Sequence, residues 1–189
     1  MLVSAFELLF EPITPKAQPP INPSPDIPDP TVVQAYFASI SNIGAKPVTL
    51  KLTFTSTLSL KNTFTVFDTT NTFPVGSAKP LTFVGSQFNK GTVELPPLQP
   101  GETGLFLLQP DIAALLGTLG KSPNISKANF AARGYVEVEA VGDAGTECLV
   151  SPQTRGTFFN QASIVPLSLN VVAQEAYSLP TQNNNVFKF

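Results

Sequence analysis

Histidine and tryptophan are missing from this sequence, cysteine occurs once, and charged residues make up only 13% of its 189 positions. Each shortage removes a class of function. Without histidine there is no Ser-His-Asp or Cys-His arrangement and no His-containing zinc site, so acid/base work would fall to Asp, Glu, Lys, Tyr or Cys. Without tryptophan, and with 15 phenylalanines against 3 tyrosines, platforms for sugar stacking are scarce and most rings belong in a core. The lone Cys148 forbids an intrachain disulfide. Its setting, Glu147-Cys148-Leu149-Val150, is that of a small buried hydrophobe and not of an activated thiol. So low a charge fraction excludes a coiled coil and charge-driven disorder. A balance of 11 cations and 13 anions with no Lys/Arg run lacks the electrostatic footprint of nucleic-acid binding. No stretch approaches the roughly 18 uninterrupted apolar residues of a spanning helix, so membrane insertion is not expected. The segment Met1 to Glu11 has no basic residue ahead of its apolar stretch and carries Glu7 inside it, the reverse of a secretory signal; the expected location is the cytoplasm or a particle assembled there.

What is present is strand-forming. In Val48-Thr49-Leu50-Lys51-Leu52-Thr53-Phe54-Thr55 the apolar residues keep a strict period of two, as in a strand with one face in the core and one in water. Val48, Leu50, Leu52 and Phe54 are expected to be buried, and Thr49, Lys51 and Thr53 largely exposed. Further strands are expected at residues 32–40, 64–67, 81–84, 92–95, 104–108, 131–141, 146–150, 155–160 and 164–173, separated by Asn, Gly and Pro punctuation. One short helix is expected from Pro110 to Leu116, opened by proline and an acid and closed by Gly117 or Gly120. The predicted fold is an all-β antiparallel two-sheet sandwich, immunoglobulin-like or jelly-roll, with that helix as a connection. Its divisions are an N-terminal strand (1–11), a proline-rich arm (12–30), the sandwich (31–177) and a C-terminal tail (178–189). Eight prolines between Pro12 and Pro30 deny that arm both helix and sheet interior.

Ala38-Ser39-Ile40-Ser41-Asn42-Ile43-Gly44 followed by Pro47-Val48-Thr49-Leu50-Lys51-Leu52 resembles the opening of bacterial immunoglobulin-like domains of the CARDB and fibronectin-III-like kind. Leu98-Gln99-Pro100-Gly101-Glu102-Thr103 is similar to their mid-domain turn, and Gly134-Tyr135-Val136-Glu137-Val138-Glu139-Ala140 to their late strand. The resemblance implies a two-sheet sandwich used for adhesion or assembly and not for chemistry.

Candidate sites are few. Glu137, Glu139, Asp143 and Glu147 are four carboxylates close in sequence that could hold Ca²⁺. Arg133 and Tyr135 alternate onto the same face as the first two, and no Asp-x-Asp-x-Asp loop is present, so the acids are read as a solvated strand face. Asn124-Ile125-Ser126 matches a glycosylation sequon and is taken as chance. No catalytic residue, metal or cofactor is expected. The termini say more. Leu2, Phe6, Leu8 and Phe10 form an apolar strand hung on the proline arm, expected to pair with another subunit or, if the arm wraps back around its own domain, with its own sheet. Phe187 and Phe189 lie on one side of an extended tail behind an Asn-rich spacer, expected to add to a neighbouring sheet's edge. The reading is a non-catalytic structural subunit that self-associates, or joins other protein subunits, through its terminal arms, as a capsid or other particle protein does. The alternative is a ligand-binding sandwich module, an adhesin or carbohydrate binder.

Overall fold

The alternation from Val48 to Thr55 sets which way the most regularly patterned strand faces, and the rest of the molecule closes over its apolar side. The computed structural model describes residues 1–13, 30–70, 77–117, 129–142, 145–164, 167–182 and 184–189. Its elements are β1 (Leu2–Pro12), β2 (Thr31–Asn42), β3 (Thr49–Ser56), β4 (Thr63–Asp68), β5 (Thr82–Phe83), β6 (Lys90–Glu94), β7 (Thr103–Pro110), α1 (Ile112–Gly117), β8 (Phe130–Val141), β9 (Glu147–Ile164), β10 (Leu167–Ser178) and β11 (Val186–Lys188). All pairings are antiparallel and the fold is an all-β sandwich with one short helix among the described residues. One layer runs β1-β8-β3-β6-β5; the other holds β4, β7, β2 and β9, with β10 and β11 along the outer edge of β9. The layers meet at a corner. The first residues of β2 pair with the end of β1, and from Tyr36 to Ser41 its same edge passes to β7.

As its pattern predicts, Val48, Leu50, Leu52 and Phe54 are buried; Thr49, Lys51 and Thr53 are half-buried instead of largely exposed, because β8 flanks all three and β6 flanks Lys51 and Thr53 on the other side. Phe54 is the centre of the core. Its ring meets Phe6 of β1 edge-on at 5.6 Å and Tyr36 of β2 at 5.9 Å, and stacks at 5.6 Å on Phe106 of β7. One cluster thus joins the two layers, each aromatic contact adding about 0.5–1.5 kcal/mol beyond area burial. The Asn42-Ile43-Gly44 turn has a definite task. The fully buried Asn42 amide donates to the Lys46 carbonyl at 2.8 Å and the Leu98 carbonyl at 2.9 Å, while its oxygen accepts from the Gly44 N–H at 3.0 Å and from the Thr146 hydroxyl at 3.2 Å. One side chain ties three loops together, with its hydrogen-bonding capacity used.

Three expectations are corrected. The N-terminal strand is not a separate unit: β1 lies between β2 and β8 of its own chain, with Leu9 opposite Gln34 and Phe6 opposite Gly134. The Ile13 N–H donates to the Pro30 carbonyl at 3.0 Å, so the proline-rich segment leaves and returns at adjacent points, and a strand so tethered meets its own sheet at high effective concentration. Residues 14–29 lie outside the described residues. Second, the strands expected at 146–150 and 155–160 are one, β9, which continues through Pro152 opposite Ala38. The Leu179 N–H donates to the Pro152 carbonyl at 2.9 Å, so the backbone groups of Pro152 face away from β2. Its missing donor therefore falls in the gap between β10 and β11, where the ladder needs none. Third, the helix starts later than expected. Pro110 ends β7, and the Asp111 carboxylate caps α1 by accepting from the Ala114 N–H at 3.0 Å.

Candidate functional site

The residues assigned to assembly are in the chain's own core. Phe6, Leu8 and Phe10 are buried and Leu2 is half-buried, because their face of β1 is covered by the opposite layer. The tail does add to a sheet edge by backbone pairing, as expected, but the sheet is its own: in β11, Val186 lies opposite Leu149, Phe187 opposite Cys148 and Lys188 opposite Glu147. Phe187 is fully buried and Phe189 packs half-buried on the same cluster, so the tail closes the core of its own chain. Burial also pushes the Cys148 thiol up to about 11, in keeping with a structural hydrophobe.

The structure separates the acids. Glu137 and Glu139 share the outer face of β8, but Lys51 of β3 donates to Glu139 at 2.7 Å, and that hydrogen bond holds the Glu139 carboxyl below its ordinary range. Glu147 is taken by Lys188 of β11 at 2.8 Å. Arg133 pairs with Glu7 of β1 and not with its neighbours on β8. Asp143 and the Asn124–Ser126 sequon lie outside the described residues. Among the described residues no group of three or more His, Cys, Asp or Glu is placed to hold a metal ion, and no helix is long and apolar enough to cross a membrane.

The surface that stands out was not singled out by sequence. β9 pairs with β2 only as far as Phe159, whereas its ladder with β10 continues to Ile164 opposite Leu167. The hairpin therefore projects past the start of β2. Along β10 every residue from Asn170 to Ser178 is exposed, including Val171, Val172 at 50% and Tyr177 at 58%. Both faces of this strand are open, and no described strand pairs with its outer edge. The Tyr177 hydroxyl donates to Glu175 two residues back, and that carboxylate raises the phenol's pKa. On the outer face β2, β7, β9 and β10 border a groove of about 450 Å³ containing Phe37, Gln109, Gln153, Arg155 and Gln174. The Arg155 guanidinium lies 4.4 Å above the Phe37 ring and bonds Gln153 at 3.1 Å, so the groove's one aromatic face already carries a cation.

Two signals could have marked this region. Leu167 to Ser178 does not alternate, its Val171-Val172-Ala173 run being followed by Gln174-Glu175-Ala176, which suits no half-buried strand. It also contains neither lysine nor proline, the residues that most often guard an open edge.

No protein-family model matches the chain, and no curated protein does. The solved structures include a similar one, the crystal structure of a GH2 beta-galacturonidase from Eisenbergiella tayi bound to galacturonate, at 14% identity and a TM-score of 0.27. The match covers 95% of this chain, which spans only 35% of the length of that protein.

Proposed function

We propose that this chain is a non-catalytic assembly subunit that associates with further copies of itself through the β9–β10 hairpin, as the building block of a particle or capsid-like structure would. The observation that carries the reading is the open strand: β10 keeps a sparsely charged backbone edge with no described partner and, from Asn170 to Ser178, two uncovered faces, in a protein whose other long strands each seal one face in the interior. Such an edge is a template for pairing, which single-chain proteins ordinarily blunt. The surrounding polar, weakly charged surface imposes little like-charge repulsion on packed copies. Sedimentation of the full chain from low micromolar to submillimolar concentration tests it, with mass rising above the monomer as the expected result. A monomer throughout that range overturns the reading.

The outer groove favours a second reading, a ligand-binding module, because several amide side chains converge there with Arg155. A neutral sugar would then have to displace the guanidinium from Phe37 in order to stack. Oligosaccharide titration followed by the chemical shifts of the Gln109 and Gln153 amides separates the two: saturable shifts with an unchanged monomeric mass select the module.

A further inference from the structure

The self-association reading leaves open how copies meet, and the backbone of β10 narrows the choice. We infer that two copies of this chain pair their β10 strands antiparallel across a two-fold axis at Ala176, making one sheet continuous through both molecules.

The argument begins with which way the peptide groups point. Leu179 donates its N–H toward β9, to the Pro152 carbonyl, and Tyr177 and Glu175 lie opposite Thr154 and Gly156 in the same ladder. Backbone groups alternate sides along a strand, so those of Gln174, Ala176 and Ser178 face outward. In a two-fold antiparallel joint the outward-facing residues of one copy must meet those of the other, so the axis passes through one residue of the strand, outward-facing or inward-facing. With the axis at Ser178, Ala176 would meet Pro180 of the second copy, which has no N–H to give. With the axis at Gln174, Ala176 would meet Val172, where the β9–β10 register shifts and the regular edge ends. An axis at Glu175 would oppose two carboxylates and set Ser178 against Val172, where that register shifts, and an axis at Tyr177 would set Gln174 against Pro180.

Ala176 satisfies every condition. Its N–H and carbonyl exchange with those of Ala176 in the second copy, and Gln174 exchanges with Ser178 on either side. The two alanines keep the centre small. Glu175 then stands opposite Tyr177 of the second copy, so no like charges face each other and the hydroxyl that each Tyr177 gives its own Glu175 can turn to the facing carboxylate instead. The proline-rich segment of the same chain is a poor competitor for this edge, since Pro15, Pro19, Pro20, Pro23, Pro25 and Pro28 remove donors throughout it.

Cysteine crosslinking of the full chain reads the register directly, and the buried Cys148 gives little background. Under air oxidation Ala176→Cys should yield a disulfide-linked dimer that reductant dissolves, because the two positions face each other at a separation a disulfide spans. Gln174→Cys alone should give none, whereas Gln174→Cys mixed with Ser178→Cys should crosslink. Ala176→Pro should weaken self-association at least tenfold with an unchanged circular dichroism spectrum; if that variant misfolds, the cysteine set decides alone. Equal crosslinking at 174 and 176, or none at 176 while the wild type still sediments as an oligomer, overturns the joint and leaves self-association standing. A wild type that is monomeric at every concentration removes both.

Discussion

β1 and β10 have nearly the same length, 11 and 12 residues, and each lies near an end of the chain, yet their environments are opposite. β1 has a hydrogen-bonded neighbour on both sides and one face sealed in the core. Among the described residues β10 has one hydrogen-bonded neighbour and, from Asn170 to Ser178, no sealed face. Nearness to a terminus does not decide whether a strand is peripheral. What decides is the face it offers: β1 places Val3 and then Phe6, Leu8 and Phe10 toward the opposite layer, a set that only a covered position accommodates, whereas β10 mixes valine, alanine, glutamine and glutamate on both sides.

The strongest way to break this contrast is to remove β1. Deleting residues 1–11 should abolish the folded state, because it strips Phe6, Leu8 and Phe10 from the core and leaves β2 and β8 with unpaired edges. Retention of a cooperative thermal transition in the truncated chain would make β1 the accessory arm its sequence position suggests. Next in size is Phe54→Ala, expected to cost about 3–5 kcal/mol in urea unfolding as a large-to-small change at a fully buried ring.

The contrast can also be read through pH. Burial pushes the Tyr36 hydroxyl up to about 12, against the smaller opposing pull of its hydrogen bond with Ser4. An unfolded tyrosine ionises near 10, so the neutral form favoured by the fold contributes fully below about pH 10, and that contribution is lost as pH climbs toward 12. The loss amounts to roughly 2–3 kcal/mol, and Tyr36→Phe should be free of it. Urea melts of both proteins across this alkaline window check the prediction; parallel losses would place the alkaline sensitivity elsewhere. The smallest effect belongs to β10. Val172→Ala, at concentrations low enough to keep the chain monomeric, should change stability by no more than about 0.5 kcal/mol. A loss comparable to that at Phe54 would mean that the strand is covered after all.

Much of the fold was legible because its signals are local. The alternation around Leu52 reports a covered face whatever covers it, and Asn42-Ile43-Gly44 marks a turn, although the anchoring role of Asn42 and its partners at Lys46, Leu98 and Thr146 could not be read from spacing. The partners of the two termini were not legible for the same reason. Apolar strands at Leu2–Phe10 and Phe187–Phe189 demand burial, but composition does not say in whose sheet, and the intervening prolines suggested distance where the structure has adjacent ends. Pro152 misled in another way, since a proline stops a strand only when its missing donor faces a partner. The open edge was the least legible feature: the broken alternation and the missing lysine and proline of β10 permit an uncovered strand, but an edge is defined by what does not lie beside it, which those residues do not state.

The hydrogen bond between Ile13 and Pro30 has one more consequence. Chain that departs and re-enters at a closed hairpin neck can change in length without moving either strand, and each doubling of such a loop costs only about 0.6 kcal/mol of closure entropy. The neck is thus a natural graft point. A tag or a small folded domain spliced between residues 14 and 29 would be displayed from the end of the sandwich past which the β9–β10 hairpin projects, with the register of β1 on β2 undisturbed.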